Sequence, residues 1–101
     1  MSRFILFLLC VAVGSVAVAA EPDQCRKVSG LAKKVMDARQ NGIPMADMMD
    51  IAASNTGDFG EFTKKITIAA YEQPRYGTAE MKGRAALDFE NDTYLACIKG
   101  R

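Results

Sequence analysis

Hydrophobic residues recur with a helical period along most of the chain beyond residue 20. Between residues 23 and 41 they return every three or four positions: Cys25, Val28, Leu31, Ala32, Val35, Met36 and Ala38. Basic residues occupy the other side of the same segment. One apolar face at this spacing predicts a helix that packs against a core. Gly42 stands where the end of a helix favours a positive φ.

Three more segments predict helices, and no segment predicts a strand with comparable strength. They are residues 44–53, 59–72 and 79–99. Asp58 followed by Glu61 resembles a capping box at the start of the middle segment, and Pro74 ends that segment. Thr78 is a favoured N-cap for the last segment. Its apolar residues cover so wide an arc that we expect this helix at the centre of the fold.

These elements predict an all-α fold, a small bundle of three or four helices in a single domain over residues 21–101. A chain of this length buries little core, so exported domains of this size usually carry a covalent staple. Cys25 and Cys97 lie near the two ends of the domain. An even pair in an exported chain predicts a disulfide. The alternative, a redox-active pair, is typical of C-x-x-C spacing, which these two cysteines lack.

Residues 1–20 have the pattern of a secretory signal peptide. Arg3 precedes a long run without charge, and small residues end that run at Ala19 and Ala20. Cleavage fits equally well after either alanine. An uncleaved membrane anchor is the alternative, because the run is about the minimum that spans a bilayer, but the small residues at its end favour cleavage. We therefore expect a periplasmic or secreted protein without a stable membrane anchor.

The charge pattern argues against several classes of function. Loss of residues 1–20 removes one of the 13 basic residues and leaves 12 basic against 12 acidic residues, without a block of either sign. A neutral, mixed surface argues against a binder of nucleic acid or anionic membranes. The chain has no histidine, which removes His-dependent hydrolysis and the usual zinc sites. The sequence therefore predicts no enzyme, no catalytic residue and no cofactor.

Tyr71, Arg75 and Tyr76 form the first candidate interaction surface. They surround Pro74 at the end of a predicted helix. Tyrosine and arginine are over-represented in binding hot spots, and a proline lowers the cost of ordering a bound segment. The same residues also suit a turn between two helices, with the tyrosine ring packed on the bundle and its hydroxyl at the surface.

Met45, Met48 and Met49 form the second candidate surface. Methionines fill irregular cores or line adaptable binding grooves. Their thioethers would also suit Cu(I), since an M-x-x-M spacing brings two sulfurs to one side of a helix. No histidine or further sulfur is close in sequence to complete such a site, so we interpret the cluster as core or groove and assign no metal.

The chain resembles a family of small exported proteins of proteobacteria and their prophages. Two stretches carry the resemblance: M-x-x-R-Q-x-G-x-x-M, here residues 36–45, and A-Y-x-x-P, here residues 70–74. They stand between an early and a late cysteine, and the similarity covers nearly all of residues 25–98. The resemblance implies export and a pair of cysteines, and it implies no catalytic residue.

The sequence is therefore interpreted as an exported, non-catalytic interaction module, an accessory or inhibitor of a larger protein partner. Three alternatives stay open. They are a methionine-based Cu(I)-binding protein, a periplasmic stress chaperone that exposes its apolar faces, and a prophage-borne regulator of host lysis. The partner's identity and the oligomeric state are not predicted.

Overall fold

A computed structural model of the protein describes residues 21–100, so the predicted signal peptide lies outside the described residues. The described part contains four helices and no strand. They are α1 (Pro22–Gln40), α2 (Met45–Ala53), α3 (Gly57–Tyr71) and α4 (Ala79–Ile98). The predicted all-α bundle is confirmed, and the four predicted segments match the four helices to within one or two residues.

The helix at the centre of this bundle is α1, which packs against both α3 and α4, while α2 packs against α3. The expectation that α4 would be central is wrong. Within α4 only Ala86 is fully buried, and Leu87 and Leu95 are 50% and 53% exposed. The apolar arc of α4 is wide, but a single neighbouring helix can cover only part of it.

The core forms where α1 meets α3 and α4. Its fully buried members are Ala32, Val35, Met36, Ile66, Ala70 and Ala86. Half-buried side chains pack around them, including Met48 of α2 and Phe89 of α4. Small residues at several of these positions let the helices approach closely, so the core is thin for the length of the chain.

Two of the helix-end signals predicted from the sequence are confirmed, and one is wrong. At the end of α1, the N–H of Ile43 donates to Ala38 O at 3.0 Å and the N–H of Gly42 donates to Arg39 O at 3.1 Å. With Gly42 at φ 85°, this is a Schellman motif. At the start of α4, Thr78 Oγ1 accepts from the N–H of Met81 at 3.2 Å, which confirms the predicted cap.

The predicted capping box at the start of α3 is wrong. The helix begins at Gly57, the N-cap is Thr56, and no side-chain hydrogen bond caps this end. Gly57 adopts φ 72°, a conformation that suits glycine and lets the chain enter the helix early. Asp58 therefore lies inside the first turn of α3. Its negative charge interacts favourably with the positive end of the helix dipole, but its side chain does not cap the helix.

A disulfide between Cys25 and Cys97 joins the start of α1 to the end of α4, with the two Cα atoms 5.5 Å apart. The predicted staple is confirmed. A disulfide of this kind fits an oxidising compartment outside the cytoplasm. Within residues 21–100, no helix has the length and apolar character needed to cross a membrane.

Candidate functional site

The end of α1 and the loop at residues 72–78 meet through the side chain of Gln40. This side chain is only 1% exposed. Its Nε2 donates to the carbonyl oxygen of Pro74 at 2.9 Å, and its Oε1 accepts from the backbone N–H of Tyr76 at 2.9 Å. One buried amide therefore satisfies a donor and an acceptor of the loop, and fixes the loop against the helix.

Three basic side chains strengthen the same junction. Arg75 Nε and Lys82 Nζ both donate to the backbone oxygen of Gln40, at 3.0 and 2.7 Å. Arg39 donates through Nε and Nη2 to the backbone oxygen of Gln73, at 3.1 and 3.0 Å. The last carbonyls of a helix lack intrahelical partners and carry the negative end of its dipole, so Arg75 and Lys82 stabilise this end of α1, while Arg39 holds the loop after α3.

Tyr71 connects α3 to the start of α2. Its hydroxyl donates to the backbone oxygen of Ile43 at 2.6 Å, and the guanidinium of Arg39 lies 5.3 Å from the centre of its ring. Burial raises the pKa of the Tyr71 phenol above its ordinary value of 10; the charge of Arg39 opposes this and that of Asp47 adds to it. The neutral phenol is therefore the stable form over the physiological range.

Gly42 is required at this junction for two reasons. Its φ of 85° is one that other residues rarely adopt. A Cβ at this position would also stand 2.8 Å from Nη2 of Arg75. The glycine thus lets the arginine lie across the end of α1.

These contacts give Tyr71 and Arg75 defined partners within the chain. Arg75 is bonded to the end of α1 and Tyr71 to the segment before α2, so both side chains have a structural role. An additional interaction role for Tyr71, Arg75 and Tyr76 stays a prediction. The residues that the sequence reasoning missed are Gln40, Arg39 and Lys82. The signal that could have found Gln40 is a polar residue placed in register with the buried face of α1, directly before its glycine end.

The three methionines do not share one environment. Met48 packs against the core, Met49 is half-buried, and Met45 is 38% exposed. Two further exposed apolar side chains belong to this part of the chain, Ile43 just before α2 and Ile51 within it. We call Ile43, Met45 and Ile51 the α2 surface.

The described residues contain no group of three or more His, Cys, Asp or Glu side chains arranged to hold a metal ion. Every buried side-chain nitrogen and oxygen in residues 21–100 has a hydrogen-bond partner. The junction around Gln40 is therefore a satisfied network that fixes structure, and the groups free to meet another molecule lie on the surface around it.

No family model, no curated protein and no solved structure matches the chain.

Proposed function

We propose that the protein is an exported, non-catalytic interaction module that binds a larger protein partner through the α2 surface. The observation that carries this proposal is the poor burial of an apolar helix. Seven of the nine residues of α2 are Met, Ala or Ile, yet Ala52 is its one fully buried residue. Met45 is 38% and Ile51 is 56% exposed. Flexible, polarizable methionine beside aliphatic groups suits an adaptable protein contact.

The position of α2 in the fold supports the same proposal. The chain just before α2 is held by the hydrogen bond from Tyr71 to Ile43 O, and α3 packs behind the helix. A surface held in place in the free protein loses little conformational entropy on binding. An accessory or inhibitor subunit benefits from such a preformed face.

The compartment proposed for this function is the periplasm, or the medium after secretion. The Cys25–Cys97 disulfide supports an oxidising compartment. The predicted signal peptide also supports export to such a compartment. A partner is accordingly expected among exported proteins or the outer faces of membrane proteins.

Affinity capture with surface variants tests the proposal. The informative change is M45Q/I51Q, because both side chains are exposed and their replacement leaves the core intact. Met48 is unsuitable, since it packs against the core and its loss would weaken the fold. L87Q/L95Q is the matched control: it removes two equally exposed apolar side chains from α4, which packs on a different neighbour.

The proposal predicts a partner that the wild-type protein and L87Q/L95Q capture and that M45Q/I51Q loses. The partner must then bind the purified wild-type protein directly. Circular dichroism spectra should match among the three proteins. Three results would overturn the proposal. They are capture of the same proteins by both variants, loss of the partner by L87Q/L95Q alone, and the absence of any captured protein that binds saturably.

A further inference from the structure

The outer side of α4 carries a row of side chains that faces away from the core. Its members, which we call the α4 seam, are Leu87, Asn91, Tyr94 and Ile98. Because a helix turns once every 3.6 residues, these four positions lie within about 60° of one another around the axis of α4. Leu87 is 50% and Ile98 is 38% exposed. The seam is thus a narrow stripe with accessible aliphatic groups at both of its ends.

The spacing of the seam is that of a helix that pairs with one other helix. Its positions are separated by four, three and four residues, which is the a and d spacing of a coiled coil. The opposite side of α4 packs on the core through Ala86 and Phe89, and its main neighbour is α1. The wide apolar arc of α4 is therefore divided between a side that packs on α1 and a side that matches a further helix.

The seam is complementary to itself when its direction is reversed. Leu87 and Ile98 are equally far from the midpoint between positions 92 and 93, and so are Asn91 and Tyr94. Two copies of α4 that cross antiparallel at this midpoint would pair Leu87 with Ile98, and Asn91 with Tyr94. A closed two-fold dimer requires a patch that is complementary to itself in this way.

We infer that α4 associates antiparallel with α4 of a second copy of this chain through the seam. The aliphatic layers at the two ends would exclude water from the centre. There the amide of Asn91 and the hydroxyl of Tyr94 would be hydrogen-bond partners. A purely apolar helix would leave Asn91 without a partner, which is costly when the group becomes buried. The chain itself supplies the matching polar group at the matching position.

The charges around the seam favour the antiparallel direction. Arg84 precedes Leu87 by three residues, so it continues the stripe at the outer end. A parallel pair would place the two Arg84 side chains opposite each other, whereas an antiparallel pair puts them at opposite ends of the contact. The acidic residues at the edges are Asp88 and Glu90, and their counterparts in the reversed copy are positions 97 and 95. Neither of these positions carries a charge, so no carboxylate faces another.

The seam is short, and this sets the strength of the association. It covers about three turns of helix, so the contact belongs below the roughly 1,200 Å² of standard protein interfaces. We expect a reversible dimer with a Kd between about 10 µM and 1 mM.

Sedimentation equilibrium of the disulfide-bonded protein tests the dimer. L87Q/I98Q removes the aliphatic layers and should weaken self-association at least about tenfold. M45Q/I51Q is the matched control, because it replaces two similarly exposed apolar side chains on α2, and it should associate as the wild type does. The same control separates this inference from the proposed function. A monomer still presents the α2 surface, so loss of the dimer does not abolish capture of the partner.

A charge swap tests the antiparallel pairing. L87K alone and I98E alone should each associate more weakly than the wild type, because each puts a charge against an aliphatic group. In an equimolar mixture Lys at position 87 of one copy meets Glu at position 98 of the other, and the second aliphatic layer stays intact. Association in the mixture should therefore be at least about fivefold tighter than for either variant alone. A parallel pair would leave both charges unmatched.

Four results would overturn the inference. They are a wild-type protein that stays monomeric up to about 1 mM, an assembly larger than a dimer, equal weakening by L87Q/I98Q and M45Q/I51Q, and no gain on mixing L87K with I98E. A monomeric wild type would leave the seam to a different protein. Matching circular dichroism spectra of the dilute variants show that the substitutions leave the fold unchanged.

Discussion

Gln40 and Tyr76 lie 36 positions apart in the chain and are joined by a hydrogen bond of 2.9 Å from the Tyr76 backbone N–H to the Gln40 side chain. The same amide also donates to the carbonyl oxygen of Pro74. The loop between α3 and α4 is thus held to the end of α1 by one buried side chain. This relationship explains how a segment without regular secondary structure keeps a fixed position.

Replacing Gln40 by leucine is expected to destabilise the protein by about 2–4 kcal/mol. Leucine fills a similar volume, but it leaves the part-buried Tyr76 N–H and Pro74 carbonyl without their partner. An unsatisfied group costs about 1–3 kcal/mol when it is fully buried, so part burial places the sum in the lower half of that range for two groups. Urea-induced unfolding followed by circular dichroism measures the change.

Gln24→Leu is the control for that measurement. It makes the same substitution on the same helix, at an exposed position, and should change the free energy of unfolding by no more than about 0.5 kcal/mol. A Gln40→Leu variant as stable as Gln24→Leu would contradict the structural role of the buried amide.

The sequence predicted the local features of this fold well. Periodicity located four helices, Gly42 and Thr78 marked two helix ends, and cysteine count with export predicted the Cys25–Cys97 pair. These features depend on neighbouring residues, or on two residues whose pairing has few alternatives. The prediction was wrong at Asp58, because the backbone freedom of Gly57 lets α3 start two residues earlier than the capping pattern indicates.

Contacts between residues far apart in the chain could not be predicted from the sequence in this way. Gln40 is a polar residue on the core-facing side of α1, and its partners are backbone groups over thirty positions away. A backbone group can accept or donate a hydrogen bond whatever its side chain is, so no sequence pattern identifies it as the partner of Gln40. Arg75 had a side chain typical of a binding site, but only the three-dimensional position of Gln40 shows that it bonds to the end of α1.

Two helical glycines should respond in opposite directions to alanine. A Cβ at Gly60 would collide with the backbone carbonyl oxygen of Asn55, whereas a Cβ at Gly83 meets no atom within 4 Å. Gly60→Ala is therefore expected to cost about 1–3 kcal/mol through overpacking. Gly83→Ala should gain about 0.5–1 kcal/mol, because alanine favours a helix more than glycine does.

Thermal unfolding of both glycine variants checks the pair, each serving as the control for the other. The melting temperature should fall for Gly60→Ala and rise for Gly83→Ala. A rise at both sites would contradict the close contact between Gly60 and the turn after α2, and a fall at both would contradict the open surroundings of Gly83.

Reduction of the Cys25–Cys97 disulfide should lower stability by about 4 kcal/mol, the chain-entropy estimate for a loop of about seventy residues. The expected effect is large because the disulfide closes a long loop and so restricts the unfolded chain. Urea unfolding with and without a reducing agent measures it, and C25S/C97S gives the same comparison without reductant. An unchanged unfolding midpoint in both experiments would show that packing alone holds α4.

The hydrogen bond from Tyr71 to Ile43 O predicts a loss of stability at alkaline pH. Burial raises the pKa of Tyr71 above its unfolded value of 10.0, so the folded protein binds this proton more tightly than the unfolded chain does. The contribution is fully present below about pH 10 and is lost as the pH rises through the folded pKa. Unfolding in urea at a series of pH values measures the decline.

Tyr71→Phe isolates the contribution of this hydroxyl from every other effect of pH on stability. At neutral pH the variant should be less stable than wild type by about 0.5–1.5 kcal/mol, the net value of one hydrogen bond. Above pH 10 the difference in free energy of unfolding between the two proteins should become smaller. The wild-type phenol loses the proton that it donates to Ile43 O, whereas phenylalanine has no such proton. The difference in absorbance at 295 nm between the wild-type protein and Tyr71→Phe follows the deprotonation of Tyr71, since the other two tyrosines are common to both proteins. A gap that stays constant across this range would show that the Tyr71 hydroxyl does not hold the start of α2.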